Sequence, residues 1–223
     1  MTIVSHTHEF IFFKPRKVAG SSLLVAFGQH CRDPDIVTAP GNTEGFVRNA
    51  MNCIGIPTHT YPYKIKAILE PQIWDQYFKV TCIRNPWDAV VSMLFWRIFR
   101  ENRKGFKFSP DVRAAIMNGT IDPQNAEYRA QLHIIIDKLE RNNAYYLDRH
   151  GVPWANYYIR YENLQRDFDT ACDQIGLPKT ELPHLKGKAR VSGLNYRSYF
   201  DGALIDAVYA KHAPTIEFFG YDF

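Results

Sequence analysis

Apolar and polar positions alternate with two different periods along this chain. Phe10 to Phe13 (FIFF) is an unbroken apolar run, and it predicts a first strand from Glu9 to Phe13, covered on both faces as in a parallel sheet. Leu23, Leu24 and Phe27 then fall at helical spacing, with Gly28 as a stop. Arg32 to Pro57, rich in Asp, Pro, Gly and Asn, reads mainly as loop. A helix is predicted from about Tyr63 to Leu69. Phe78, Val80 and Cys82 alternate with Lys79, Thr81 and Ile83, the period of a strand. Asn85-Pro86 then supplies an N-cap with Pro at the first helical position, and Val90, Met93, Leu94 and Ile98 give the helix that follows a buried stripe. Asp122-Pro123 opens a long helix to about Arg149, with Tyr128, Leu132, Ile135, Ile136, Leu139 and Tyr146 on one face. Trp154 to Tyr161 reads as a strand, and Asn163 to Ile175 as a helix closed by Gly176-Leu177-Pro178. Strands alternating with helices in this way point to the α/β class with a parallel sheet.

Composition narrows the picture. A chain of 223 residues suits one well-buried domain with room for an inserted subdomain, and no repeat or Pro/Gly linker divides it. Apolar residues at 46% exclude extended disorder. No apolar run approaches a membrane span, and MTIVSHTHEF lacks a basic-then-apolar leader, so a cytoplasmic protein is expected. Cys31, Cys53, Cys82 and Cys172 are scattered, which predicts buried reduced thiols and no zinc site. The net charge of +4 agrees with an anionic ligand without separating nucleotide, sulfated glycan and nucleic acid.

The stretch FIFFKPRKVAGSSLLVAF concentrates the candidate chemistry. Strand, tight basic loop and helix N-terminus bind phosphate-like anions, because backbone N–H groups and the positive end of the helix dipole face the ligand. Lys17 adds charge and Gly20 permits close approach of backbone to an anion. Ser21 and Ser22 either cap the helix or donate hydroxyls to ligand oxygens. Lys17 precedes Gly20, so this is not the Gly-x4-Gly-Lys-Ser/Thr spacing of a nucleoside triphosphatase. An ordinary βα turn with solvated basic residues has the same local pattern. Arg84 ends a strand, where open α/β sheets place ligands, with Ser92 eight residues later. Its alternatives are a structural ion pair with Asp88 or a bidentate grip on phosphate. His59 and Glu44 are lone ionisable residues, which by themselves are more often structural or solvated than catalytic, although an imidazole has the near-neutral pKa that suits a general base. The basic run Arg97, Arg100, Arg103, Lys104, Lys107 is a solvated face or the entrance for an acidic acceptor.

Lys17-Val18-Ala19-Gly20-Ser21-Ser22-Leu23 resembles the 5′-phosphosulfate loop of sulfotransferases that use 3′-phosphoadenosine 5′-phosphosulfate (PAPS), with Arg16 inserted between Pro15 and the lysine. RNPWDAVVS, from Arg84 to Ser92, resembles their 3′-phosphate signature. HTYPYKIKAIL after Thr58, YIRYENLQRDFDTACDQIGLP and the terminal NYRSYFDGALIDAVYAKHAPTIEFFGYDF are similar to further segments of that family, in the same order. The resemblance implies a single α/β domain of P-loop nucleoside-triphosphatase-like type. Its central parallel β-sheet would be flanked by helices, with a mainly helical insertion at about 100–150. It implies PAPS as co-substrate, no metal, and a hydroxyl-bearing acceptor such as a glycan or small molecule, with no nucleic acid partner. Arg16, Lys17, Ala19, Gly20, Ser21 and Ser22 would hold the phosphosulfate, Arg84 and Ser92 the 3′-phosphate, and Lys188 or Arg190 of a basic loop would close on the cofactor. Lys17 and His59 would be catalytic. A P-loop-like small-molecule kinase and a non-enzymatic polyanion-binding protein are the alternatives, the first disfavoured by the missing Walker spacing.

Overall fold

Two four-residue strands open the chain, β1 (Thr2–Ser5) and β2 (Phe10–Phe13), and every residue of both is buried. The computed structural model describes residues 2–38, 56, 59–99, 108–183 and 194–223. The four residues 6–9 between β1 and β2 are too few for a crossover, so the strands pair antiparallel, with Thr2 opposite Phe13 and Ser5 opposite Phe10. β2 leads through residues 14–19 into α1 (Gly20–Gly28), and β3 (Ile36–Val37) returns to the outer edge of β1. Helices α2 (Pro62–Ile68) and α3 (Pro71–Gln76) each begin on a proline, whose fixed φ and missing N–H suit a first turn. They precede β4 (Phe78–Ile83).

The sheet has the order β3-β1-β2-β4 and is completed by β5 (Tyr157–Arg160). β4 is parallel to β2 and β5 is parallel to β4. The sheet is therefore mixed, not parallel throughout as the apolar runs predict, because the short turn at 6–9 allows only an antiparallel neighbour for β2. A strand as short as β1, with no alternation, carries too little pattern to be seen in advance. The predicted strand at 154–161 is shorter at both ends. Trp154 is held in the preceding turn by a hydrogen bond from its N–H to the Tyr146 carbonyl, and Tyr161 already belongs to a 3-10 turn (Tyr161–Asn163).

The chain divides into two compact units, Met1–Arg84 with Ala144–Leu185, and Asn85–Asn143 with Lys186–Phe223. In the first, α1 and α7 (Leu164–Ile175) lie on the sheet face formed by Phe10, Phe12, Val80, Cys82 and Ile159. Phe27 of α1 is central there, with ring centroids 5.5 Å from Phe10, 5.2 Å from Phe12 and 5.1 Å from Phe168. Burying such a ring contributes about 2–3 kcal/mol. Cys82 and Cys172 are buried thiols in this core and Cys31 is half-buried; Cys53 lies outside the described residues.

The second unit is helical among the described residues. It contains α4 (Pro86–Phe99), α5 (Pro110–Asn118), α6 (Ala126–Glu140) and α8 (Gly202–Phe219). Asn125 caps α6 by accepting from the Tyr128 N–H at 3.0 Å, and Asp201 caps α8 by accepting from the Leu204 N–H at 2.9 Å. The buried Tyr128 hydroxyl donates to the Tyr199 carbonyl at 2.8 Å. α6 stops at Glu140, well short of Arg149, because Tyr145 and Tyr146, which continue its apolar face in sequence, are buried in the first unit. α5 is an element that the periodicity did not predict, although Pro110 at its start and Gly119 in the left-handed conformation at its end are helix signals.

Candidate anion-binding site

Three parallel strands of the first unit release their chains at one edge of the sheet. β2 ends in the loop 14–19, β4 ends at Ile83 with Arg84 next, and β5 ends at Arg160 with Tyr161 next. The loop is tied to the sheet where it begins. Thr81 donates its hydroxyl to the Phe13 carbonyl at 2.6 Å, between β2 and β4.

Within the loop, Lys17 (φ 66°) and Ala19 (φ 56°) take the left-handed conformation, which costs a residue with a side chain roughly 1 kcal/mol or more. Ala19 is the N-cap of α1 and offers no side chain to cap it. Gly20 is the first helical residue, so the helix starts before the two serines, and Ser21 and Ser22 lie within its first turn rather than at the cap. Ser22 is buried and Ser21 half-buried. The Ser22 N–H donates back to the Ala19 carbonyl at 3.0 Å.

Gly20 itself has a helical backbone, so its lack of a side chain answers a steric need. The stem of Lys14 lies across it, and a Cβ at position 20 would sit 2.0 Å from Lys14 Cδ. Lys14 is only 7% exposed, an unusual depth for a lysine. It is a cation of the loop that the motif does not single out, although its place directly after the apolar run FIFF is a readable signal. Arg16 is exposed and Lys17 half-buried.

Arg84 is buried, with its guanidinium centre 3.8 Å from the centroid of the Tyr161 ring, and its Nη1 donates to the Lys17 carbonyl at 3.3 Å. The two basic motifs, 67 residues apart in sequence, therefore touch. Arg84 thus reaches the loop.

His59 is the third candidate in a left-handed conformation (φ 61°). Its carbonyl accepts a 2.6 Å hydrogen bond from the buried Tyr145 hydroxyl, which holds the strained backbone in place. Tyr145 in turn packs on Tyr61, with centroids 4.8 Å apart, and Tyr61 stacks on Tyr63 at 5.6 Å. The imidazole pKa falls from its ordinary 6.5 to about 3, first because burial disfavours its cation and then because Lys14 and Arg16 are close; a hydrogen bond to the Lys14 backbone pulls the other way. Its Nδ1 is buried without a hydrogen-bond partner. The near-neutral value expected from sequence is thus displaced by the site itself. Burial and the tyrosine neighbours likewise push the Tyr145 hydroxyl well up, so it remains a donor.

Of the remaining candidates, Ser92 stands half-buried in the second turn of α4, in the second unit. Lys188, Arg190, Glu44 and most of the basic run, from Arg100 to Lys107, lie outside the described residues. Arg97 is half-buried, and burial lowers its pKa. Among the described residues no group of three or more His, Cys, Asp or Glu side chains could hold a metal ion, and no helix is long and apolar enough to cross a membrane.

Comparison of the chain with protein-family models, with curated proteins and with solved structures gives no match to any of them.

Lys14 lies across Gly20 at the N-terminus of α1, Arg84 reaches the Lys17 carbonyl in the loop before it, and Lys14 and Arg16 lie close to the neutral His59 imidazole. Such an arrangement can hold an oxyanion with several peripheral oxygens and present an uncharged nitrogen next to it.

Proposed function

We propose that the protein is a PAPS-dependent sulfotransferase with a P-loop-like phosphosulfate site, acting on an acceptor hydroxyl. The observation that carries this reading is the contact between the two cationic motifs, with Arg84 donating to the Lys17 carbonyl at the carboxyl ends of β4 and β2. A second support is backbone strain. Among the described residues only Glu9, Lys17, Ala19 and His59 are non-glycines with positive φ, and three of these four are residues singled out for chemistry.

In-line transfer of a sulfuryl group spreads charge over its peripheral oxygens and the leaving oxygen, so positioning and electrostatics supply most of the catalysis, as in phosphoryl transfer. Lys17 stabilises the charge on the leaving bridging oxygen. Backbone amides near Gly20, with Arg16, Ala19, Ser21 and Ser22, hold the phosphosulfate. Arg84 grips the 3′-phosphate. His59 accepts the proton of the acceptor hydroxyl. Its low basicity in the free protein is offset on this scheme by the cofactor, whose negative charge raises the pKa of a neighbouring imidazole.

The test is calorimetric titration with 3′-phosphoadenosine 5′-phosphate beside ATP and ADP, without magnesium. Tight binding of the 3′-phosphorylated nucleotide alone, weakened by at least about tenfold in Arg84→Ala, is the expected result, since a charge-assisted contact is worth about 1.5–3 kcal/mol. Preference for ATP would replace the reading with a small-molecule kinase. Lys17→Ala is expected to lower transfer by about 10²–10³ with the fold intact, and wild-type turnover by that variant would remove Lys17 from its role.

A further inference from the structure

We propose that Tyr161 is a positioning residue, which aims the Arg84 guanidinium and through it holds the left-handed Lys17 loop in its binding shape. The part of this inference that concerns nucleotide rests on the PAPS reading; the part that concerns the loop does not.

The contact follows from strand register. β4 and β5 are parallel with Ile83 opposite Arg160, so the next residues, Arg84 and Tyr161, leave the sheet side by side. Tyr161 opens a 3-10 turn, and the backbone just before it is anchored. The Arg160 N–H donates to the buried Asp167 carboxylate at 3.0 Å, and Arg166 closes on the same carboxylate at 3.2 Å. The Tyr161 ring offers a face over which the guanidinium centre lies at 3.8 Å. An arginine side chain otherwise has many rotamers, and a planar cation on an aromatic face loses most of that freedom before any ligand arrives.

With one face against Tyr161, Arg84 turns Nη1 onto the Lys17 carbonyl at 3.3 Å. That carbonyl belongs to a residue at φ 66°, a conformation that persists only where its surroundings hold it. Ring, guanidinium and loop thus form one chain of contacts, and Tyr161 affects the anion site without touching an anion.

Two variants separate the ring from the hydroxyl. Tyr161→Leu removes the aromatic face and Tyr161→Phe keeps it. Hydrogen exchange of the amides of residues 17–22 in the unliganded protein is read first, and binding of 3′-phosphoadenosine 5′-phosphate by calorimetry second. The expected result is loop exchange about tenfold faster and nucleotide binding about tenfold weaker in Tyr161→Leu, with Tyr161→Phe within about twofold of wild type in both. Wild-type loop exchange in Tyr161→Leu overturns the proposal, and so does equal damage in Tyr161→Phe, which would assign the effect to the hydroxyl. If Tyr161→Leu does not fold, Arg84→Lys carries the same test. It keeps the charge but has no planar fork to bridge ring and carbonyl, so faster loop exchange is expected and unchanged exchange overturns the inference. Should the wild-type protein bind no 3′-phosphorylated nucleotide, the PAPS reading fails while the exchange measurement still decides the role of Tyr161.

Discussion

Lys14 and Gly20 occupy one space, and that makes position 20 intolerant of any side chain. Gly20→Ala brings a methyl group to 2.0 Å from Lys14 Cδ, and the buried lysine has to move. We expect a destabilisation of about 1–3 kcal/mol by urea denaturation, the usual cost of overpacking. Adding Lys14→Ala removes the obstacle, so the double variant should be no less stable than Gly20→Ala alone. Strict additivity of the two substitutions would show that the clash is relieved elsewhere. His59 yields a second expectation at this scale. With its pKa held near 3 by burial and by the cations of Lys14 and Arg16, it is neutral from about pH 4 upward in the free protein. Because kcat/KM reports groups of the free enzyme, its pH profile should lack an acid limb near 6.5, while His59→Asn should lower the rate by about 10²–10⁴ throughout. An inflection near 6.5 that His59→Asn abolishes would contradict the buried position of the ring.

At the scale of elements, Asn85 links three pieces of the second unit. Its Oδ1 accepts from the Trp87 and Asp88 N–H groups at 3.1 and 3.4 Å, capping α4, and its Nδ2 donates to the Asp222 carbonyl at 2.9 Å and to the Tyr196 hydroxyl at 3.4 Å. Phe223 adds to the same cluster, with ring centroids within 5.7–5.9 Å of Trp87, Phe200 and Tyr196. Loss of the cap alone costs about 1 kcal/mol, and the loss of two part-buried hydrogen bonds from Nδ2 adds to it, so Asn85→Ala should cost about 1.5–2.5 kcal/mol. Asn85→Asp keeps the capping oxygen and loses the donor, and thermal unfolding should place it between wild type and Asn85→Ala. If the two variants are equally unstable, the cap contributes nothing. The dipeptide Asn85-Pro86 announces the start of α4 in the sequence, but the partners of Nδ2 lie more than a hundred residues away and no local pattern reports them.

At the scale of the whole molecule, stability should fall in mild acid. His212 is 3% exposed on α8, its Nδ1 is 3.2 Å from Asn143 Oδ1, and its Nε2 is buried without a partner. Burial lowers its pKa from 6.5 to about 4, with a hydrogen bond to the Ile136 backbone opposing. A depressed histidine pKa means that the unfolded chain takes up the proton first. The stabilisation is complete above pH 6.5 and drains away as pH falls towards 4, reaching a loss of about 2 kcal/mol at pH 5. His59 acts in the same direction. Urea denaturation at pH 7 and pH 5 checks this: His212→Gln should show the smaller drop, and an identical drop in both proteins would assign the acid sensitivity elsewhere.

Much of this protein is determined locally, and the sequence alone carries that part. The apolar runs FIFF and FKVTCI, the helix start at Asn85-Pro86, and the loop with Lys17 three residues before Gly20 follow from periodicity, capping and turn chemistry, which act over a few residues, whereas the long helix expected from Asp122-Pro123 begins only after its cap Asn125. β4 and the start of α4 fall where the pattern puts them. Tertiary structure decided what depends on register and burial. It made the sheet mixed through the short 6–9 turn, ended α6 at Glu140 by drawing Tyr145 and Tyr146 into the first unit, and laid Lys14 across Gly20. It also set Arg84 between Tyr161 and the Lys17 carbonyl, and lowered the His59 pKa. Each of these outcomes joins residues distant in the chain, and their energies arise only when packing brings such residues within a few ångströms, which no window along the sequence contains.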